Sequence, residues 1–329
     1  MTRAPLTLAL ALALALAGCS TTDEPTGADE PIRVRSGAFK PGDLPGIVPP
    51  DAGAGGGAAA PAQVSPRVTV LNTVNRIVWP GESGKVISGN ATTLATAVGV
   101  RSADLGTGYW LVPTGLADPL QDNDLAWTMT FDVNWNIPPG LHTLRFGAVD
   151  QYQRAGSLTD LEVCVTSAVP DNYNACDPTV APPFAVLSLT WDSAADLDLV
   201  VRDPNGKWID PKHPTTAGIG DGGVLPNLKI DGAFDHDANA NCAGDALHAE
   251  HLVWQSKPQL GQYLVYVNMF ASCGASAARF DVSLNLEASS PDGGTHKLVD
   301  ELDVPGELLG TAANGGTSDG LYVTSFTIQ

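Results

Sequence analysis

The segment Trp127-Thr128-Met129-Thr130-Phe131-Asp132-Val133 alternates apolar and polar side chains with a period of two. A β-strand sends successive side chains to opposite faces, so this pattern places the four apolar side chains of the segment on one buried face. The same alternation returns at residues 144–148, 161–165, 280–286 and 322–328, and no stretch shows helical periodicity. Short strands separated by Gly, Pro, Asn and Asp predict an all-β chain built from β-sandwiches.

The spacing of these strands predicts two tandem β-sandwich domains, at residues 67–169 and 184–329, joined by a Pro-rich linker at residues 170–183. Residues 19–66 are rich in Pro, Gly, Ala and Asp and contain almost no aromatic side chain. Such a segment cannot bury enough apolar surface to offset the entropy of ordering it. We therefore expect residues 19–66 to be a lipid anchor followed by a disordered tether.

The first 18 residues have the features of a signal peptide. Arg3 supplies the positive charge, and residues 6–16 form a Leu/Ala run interrupted only by a Thr. This run is too short to span a bilayer, which needs about 20 apolar residues.

The signal peptide ends in Leu16-Ala17-Gly18-Cys19, which resembles the lipobox of bacterial lipoproteins. The resemblance implies cleavage before Cys19, fatty acylation (including palmitate) at that residue, and a membrane partner reached through the lipid anchor. Ser20 in place of Asp implies the outer membrane, so we expect the chain in the cell envelope, facing the periplasm or the exterior. The alternative is an ordinary secretory signal with an incidental cysteine.

Charge and cysteine content agree with export. The chain has 17 Lys and Arg against 36 Asp and Glu, a formal net charge of −19, which opposes nucleic-acid phosphates as partners. Four further cysteines form an even set, which in an oxidising compartment predicts two disulfides. Three pairings are open; we expect Cys164–Cys176 and Cys242–Cys273, because each closes a loop within one predicted domain. Free thiols are the alternative.

Residues 191–206, WDSAADLDLVVRDPNG, combine a strand ending in Trp, an Asp-Leu-Asp-Leu strand start and a Pro-Asn-Gly turn. With residues 232–237, the segment from Glu250 to Trp254 and residues 261–267, they resemble the YfaP-like family of bacterial β-sandwich domains. The resemblance covers about residues 186–286 and implies a β-sandwich without an established biochemical activity. Two features depart from the family: Val200 stands where a histidine often follows, and a longer loop around Cys242 replaces a Gly-Pro-Glu approach to Glu250.

Residues 140–150 resemble, more weakly, the late hairpin of bacterial Ig-like domains. This resemblance implies an Ig-like first sandwich, of a kind that commonly acts as a spacer or an adhesive module.

Carboxylates near the start of the second domain suggest a metal site. Asp196 and Asp198 are two residues apart, so a regular strand places both on one face, where they repel each other unless a cation lies between them. Hard oxygen ligands of this kind suit Ca²⁺. The predicted ligand set is Asp196, Asp198, Asp235, Asp237, Asn239, Asn241 and Glu250. The alternative is a solvated acidic loop whose Asp and Asn side chains cap turns.

The sequence contains no recognisable catalytic constellation. His248-Ala249-Glu250-His251 has neither order of the zinc-protease motifs, and no nucleophile elbow or phosphate-binding Gly loop is present. We therefore expect a non-enzymatic envelope module for binding or adhesion, with a protein or glycan ligand. A structural accessory subunit of an envelope complex is the first alternative, and a hydrolase with a paired carboxylate site is the second.

Overall fold

The computed structural model describes residues 26–46, 65–73, 75–217, 227, 229–244, 247–289 and 295–329. These residues form strands, turns and two short 3-10 helices, at Ala240–Cys242 and Gly310–Ala312, without an α-helix. The predicted all-β class and the β-sandwich architecture are confirmed. The predicted signal peptide, Cys19 and most of the predicted tether lie outside the described residues.

Ten strands of the described residues form the first sandwich. They are β1 (Ile32–Val34), β2 (Ala38–Pro41), β3 (Val68–Thr73), β4 (Ile77–Val78), β5 (Lys85–Ala91), β6 (Ala97–Ser102), β7 (Gly108–Pro113), β8 (Leu125–Val133), β9 (Gly140–Val149) and β10 (Ala155–Val165). One sheet has the order β1-β8-β5-β3, and the other has the order β2-β7-β6-β9-β10-β4. Side chains from both sheets meet in one apolar core, to which β8 contributes Trp127, Met129, Phe131 and Val133 as its period predicts.

The prediction of a disordered linker over residues 19–66 is wrong for residues 26–46. Strand β1 pairs with β8, and β2 pairs with β7, so each is an edge strand of the first sandwich. Ile32 and Val34 are buried in the core, while Arg33 between them is exposed. The average composition of 48 residues concealed this short alternating segment, which is enough to complete a sheet edge.

In the second sandwich, the part of the chain that the structure describes contains nine strands. They are β11 (Ala185–Trp191), β12 (Asp196–Arg202), β13 (Trp208–Ile209), β14 (Gly232–Phe234), β15 (Ala249–Trp254), β16 (Gly261–Ala271), β17 (Ala277–Ser289), β18 (His296–Leu309) and β19 (Leu321–Ile328). One sheet has the order β14-β15-β11-β17-β18, and the other has the order β13-β12-β16-β19. The Pro-rich residues 170–183 form turns between the last strand of the first sandwich and β11.

The four-stranded sheet of the second sandwich has one buried face and one open face. Leu197, Leu199 and Val201 of β12 point into the core, and so do Val265 and Val267 of β16. The residues between them therefore lie on the outer face, where Asp198 is opposite Asn268 and Val200 is opposite Tyr266. This outer face carries the candidate site.

Both predicted disulfides are confirmed. Cys164 bonds to Cys176, and Cys242 bonds to Cys273. Two disulfides fit a compartment outside the reducing cytoplasm. In the part of the chain that the structure describes, no helix has the length and apolarity needed to cross a membrane.

Candidate metal centre

Three carboxylates meet at one end of the outer face of the second sandwich. Asp196 and Asp198 come from the start of β12, and Asp237 comes from the loop between β14 and β15. One oxygen from each carboxylate lies within 4.8 Å of the other two. We call these three residues the Asp triad. They form the floor of an open pocket of about 300 Å³.

Asp196 is the least exposed member of the triad, with 2% of its surface accessible. Its Oδ2 accepts a hydrogen bond of 2.7 Å from the Asn241 N–H, whereas its Oδ1 is buried without a hydrogen-bond partner. A buried carboxylate oxygen that lacks a partner costs free energy unless a cation or donor supplies the missing contact. Asp196 therefore points to a ligand in the pocket.

Burial and mutual repulsion hold the triad in an unfavourable state when it is charged. Burial, followed by the negative charge of Asp237, raises the pKa of Asp196 to about 6. Burial raises the pKa of Asp198 to about 7, and the charges of Asp196, Asp237 and Asp210 act in the same direction. A 3.1 Å hydrogen bond that Asn268 Nδ2 donates to Asp198 Oδ2 acts in the opposite direction and lowers this pKa. A divalent cation in the pocket would reverse this balance by stabilising all three charged forms.

Glu250 lies behind the triad and not in it. It belongs to β15, with its side chain on the core side of the strand beside Leu252, and it is fully buried. Its Oε2 accepts a 2.8 Å hydrogen bond from the Leu199 N–H of β12, and its Oε1 accepts one of 3.3 Å from the Ala238 N–H. Burial raises the pKa of Glu250 well above its usual value. Glu250 thus joins the two segments that carry Asp198 and Asp237.

Two other residues of the predicted ligand set also lie outside the pocket. Asp235 Oδ1 accepts hydrogen bonds from the N–H groups of His236 and His251, and the buried Asn239 donates from Nδ2 to the Ala195 carbonyl. Their alternation with Asp237 does not put them on one face, because the loop is not extended. Asn239 and Asn241 both have a positive φ, and Asn241 lies in a one-turn 3-10 helix.

Asn241 and three polar residues remote in sequence lie in the pocket around the triad. Asn241 lines the wall, as do Asp210 from the turn after β13, Asn268 from β16 and Asp319 from the loop before β19. Spacing along the chain does not predict that Asp210, Asn268 and Asp319 lie near the triad. The outward position of Asn268 on a strand paired with β12 was the only available indication.

The histidines of residues 248–251 take part in other contacts. His251 is buried and its Nδ1 lies 2.8 Å from Ser188 Oγ, and the ring of His248 stacks on Trp191 with 6.2 Å between centroids. Neither residue lines the pocket with the triad. The triad therefore presents oxygen ligands alone, as hard divalent cations prefer.

Comparisons with known proteins give no family for this chain. No family profile matches it, and no curated protein matches it, so the resemblance to the YfaP-like family stays a prediction.

Among solved structures, the chain is similar to β-domains of pilins and adhesins. The major pilin subunit BcpA of Bacillus cereus has 11% identity and a TM-score of 0.20, with 74% of this chain and 66% of the pilin covered. The C-terminal domain of the AgI/II polypeptide BspA of Streptococcus agalactiae has 10% identity and a TM-score of 0.22, with 73% and 99% covered. A tandem repeat from the extending region of a large adhesion protein has 10% identity and a TM-score of 0.18, with 76% and 72% covered. Similarity at this level supports no functional inference.

Proposed function

We propose that this chain is an exported binding module whose second sandwich holds a divalent cation, Ca²⁺, in the Asp triad. The observation that carries the proposal is the buried, unpartnered Oδ1 of Asp196 beside two further carboxylates, all within 4.8 Å. Repulsion between three carboxylates at this separation is a standing cost in the metal-free protein. A cation between the three carboxylates would remove this repulsion, and the free energy gained would favour binding of the ion.

The choice of Ca²⁺ follows from ligand chemistry. The triad offers up to six carboxylate oxygens, with neither sulfur nor imidazole among the triad residues. Calcium takes 6–8 oxygens in flexible geometry, whereas Mg²⁺ demands a near-ideal octahedron and keeps several waters. An open pocket with carboxylates from two separate segments suits the less demanding ion.

The lipid anchor at Cys19 belongs to the same proposal. It is supported by the lipobox-like Leu16-Ala17-Gly18-Cys19 and by the two disulfides, which fit a compartment outside the cytoplasm. A lipid on Cys19 would hold the module at a membrane surface, with β1 of the first sandwich beginning at Ile32. A binding site on an anchored, exported domain is the arrangement of an adhesion or ligand-capture module.

Thermal unfolding of the purified chain, with chelator and then with excess Ca²⁺, tests the cation site. Binding to the folded state alone should raise stability by about 2.7 kcal/mol at one hundred times the dissociation constant. Asp198→Asn should abolish most of this increase, and Glu301→Gln, which removes one exposed charge on the other sheet, should preserve it. A melting temperature that Ca²⁺ does not change in the wild-type chain would refute the proposed cation site.

A further inference from the structure

The pocket above the Asp triad has room for more than a cation. Its volume of about 300 Å³ lies at the lower end of the range for small-molecule sites and would accommodate one sugar ring. Two triad oxygens already accept hydrogen bonds, Asp196 Oδ2 from the Asn241 N–H and Asp198 Oδ2 from Asn268 Nδ2. A Ca²⁺ ion with 6–8 ligands would therefore keep coordination positions directed into the open pocket.

The walls of the pocket present both hydrogen-bond acceptors and donors. Asp210 and Asp319 offer carboxylates, Thr317 and Ser318 offer hydroxyls, and Lys212 offers an ammonium group. A ligand hydroxyl both donates and accepts, so a mixed wall of this kind matches hydroxyl groups better than it matches a group of one polarity.

Lys212 occupies a defined place in this wall. Its Nζ lies 5.8 Å from the centroid of the Phe270 ring, and it makes no ion pair among the described residues. Gly316 allows this approach, because a Cβ at that position would lie 2.7 Å from Nζ and 3.2 Å from the Phe270 ring. The ammonium group is thus placed at the pocket beside an apolar ring.

The charge of the pocket disfavours anionic ligands. Among the residues that the structure describes, five aspartates line it, and one Ca²⁺ together with Lys212 would neutralise only three of their charges. The site would stay negative with the ion bound, so an anionic ligand such as a uronate is disfavoured and a neutral one is not.

An aromatic band continues from the pocket across the outer face of the same sheet. We define the band as Trp208, Tyr266 and Tyr322. Tyr266 lies two residues from Asn268 on the same face, and its ring centroid is 5.3 Å from that of Trp208 and 5.5 Å from that of Tyr322. Tyr322 is half exposed. Aromatic side chains with a polar edge supply large, rigid contact surfaces for the C–H faces of sugar rings.

We propose that the pocket and the aromatic band together bind a neutral glycan in a Ca²⁺-dependent manner. Adjacent hydroxyls of one sugar unit complete the coordination of the ion, and the wall of Lys212, Asp210 and Asp319 binds the other hydroxyls of that unit. The following units of the glycan lie on the band. This inference rests on the proposed cation site and names the ligand class for it.

The test uses the purified full chain and immobilised oligosaccharides of glucose, mannose, galactose and N-acetylglucosamine, with glucuronate- and sialate-terminated oligosaccharides beside them. We expect binding to at least one neutral glycan in Ca²⁺, loss of that binding in chelator, and weaker binding to the acidic glycans. Ca²⁺ affinity of every variant is measured separately by calorimetry.

Three variants and one control locate the glycan. Tyr266→Leu and Lys212→Met should each weaken glycan binding by about tenfold, which corresponds to about 1.4 kcal/mol. Tyr266→Leu should leave Ca²⁺ affinity unchanged, and Lys212→Met should not lower it, because it removes a positive charge from the pocket that holds the ion. Asp198→Asn should lose both activities, and Glu301→Gln should keep both.

The outcomes separate the two proposals. Absence of Ca²⁺ binding would refute the cation site and, with it, this inference. Normal Ca²⁺ binding without binding to any neutral glycan would refute the inference alone. Three other results would also overturn the inference. They are a preference for acidic glycans, glycan binding that persists in chelator, and full glycan binding by both Tyr266→Leu and Lys212→Met.

Discussion

At the scale of single residues, some carboxylates of this protein lie where burial or neighbouring negative charge destabilises their charged form. The second such place, after the triad, is on the five-stranded sheet of the second sandwich. There a hydrogen bond with Asp303, and then burial, raise the pKa of Asp281 to about 6, and one oxygen of Asp281 is buried without a partner. Two neighbouring carboxyl groups that share a proton favour the half-protonated form.

This pair predicts a pH dependence of stability. Because the pKa of Asp281 is raised in the folded state, its stabilising contribution is full below pH 4 and is lost as pH rises through about 6. Asp281→Asn keeps a hydrogen-bond donor toward Asp303 and removes the repulsion. We expect it to stabilise the chain at pH 7.5 by less than about 1 kcal/mol, since solvent screens this partly exposed site, and to give no gain at pH 4.

Chemical denaturation of wild type, Asp281→Asn and the exposed control Glu301→Gln at both pH values measures this effect. Equal gains at pH 4 and pH 7.5 would show that the two carboxyls do not share a proton.

At the scale of elements, the loop between β14 and β15 is held in place by covalent and polar contacts. Asn239, Asn241 and Cys242 all have a positive φ, which is unfavourable for residues with a Cβ. The Cys242–Cys273 disulfide joins this loop to the turn between β16 and β17, and Glu250 accepts a hydrogen bond from the N–H of Ala238, next to Asp237. The position of Asp237 in the triad therefore depends on this disulfide.

Removal of the Cys242–Cys273 disulfide should affect both stability and metal binding. Replacement of both cysteines by serine opens a loop of 31 residues, so we expect a loss of about 3–4 kcal/mol of unfolding free energy. Ca²⁺ affinity should fall by about tenfold or more, because the loop must be ordered when the ion binds. Calorimetric Ca²⁺ titration and chemical denaturation measure the two effects.

The disulfide Cys164–Cys176 provides a matched control. It closes a shorter loop, of 12 residues, so its removal should cost about 3 kcal/mol. Neither of its cysteines lines the pocket, and Ca²⁺ affinity should not change. Equal losses of Ca²⁺ affinity in both double variants would show that the loop contact has no specific role.

At the scale of the whole molecule, the folded part of the first sandwich begins earlier than composition suggested. Strand β1 buries Ile32 and Val34, and the Ile32 carbonyl accepts a 2.9 Å hydrogen bond from the indole Nε1 of Trp110. Residues 26–46 are therefore part of the domain and not of a tether.

A chain that starts at Ser65 should consequently have an unstable first sandwich. Loss of two buried aliphatic side chains removes about 1.5–3 kcal/mol each, and the Trp110 N–H loses its acceptor. Denaturant unfolding should show a lower midpoint for the first sandwich and an unchanged one for the second, compared with a chain that starts at Thr26. Identical unfolding curves would contradict the assignment of β1 and β2 to the core.

The proposed lipid anchor predicts the behaviour of the whole chain in cells. Cys19→Ala removes the residue that we propose to be acylated, and acyl chains on it would contribute about 0.8 kcal/mol per buried CH₂ to membrane affinity. The variant should leave the membrane fraction and partition into the aqueous phase of a detergent extract, whereas Cys19 in the wild-type chain should carry label from a fatty-acid precursor. Unchanged membrane retention of the variant would refute the anchor.

The period-two pattern was sufficient to predict the sandwich architecture and to place Asp196 and Asp198 on one face. It failed where local geometry departs from an extended strand, since left-handed residues direct Asn239 away from the pocket. It also gave no indication of Asp210, Asn268 and Asp319, which strand pairing and loop packing bring to the pocket from distant positions. Composition failed at Ile32 and Val34, because a three-residue strand is lost in an average over a long segment.

The most direct test of the central claim is anomalous diffraction from crystals of the chain grown with Ca²⁺, repeated with a lanthanide in its place. We expect one strong peak in the second sandwich, within about 2.3–2.6 Å of carboxylate oxygens of Asp196, Asp198 and Asp237 in the Ca²⁺ crystals. An empty triad in crystals saturated with the ion, or a peak only at other surface carboxylates, would contradict it.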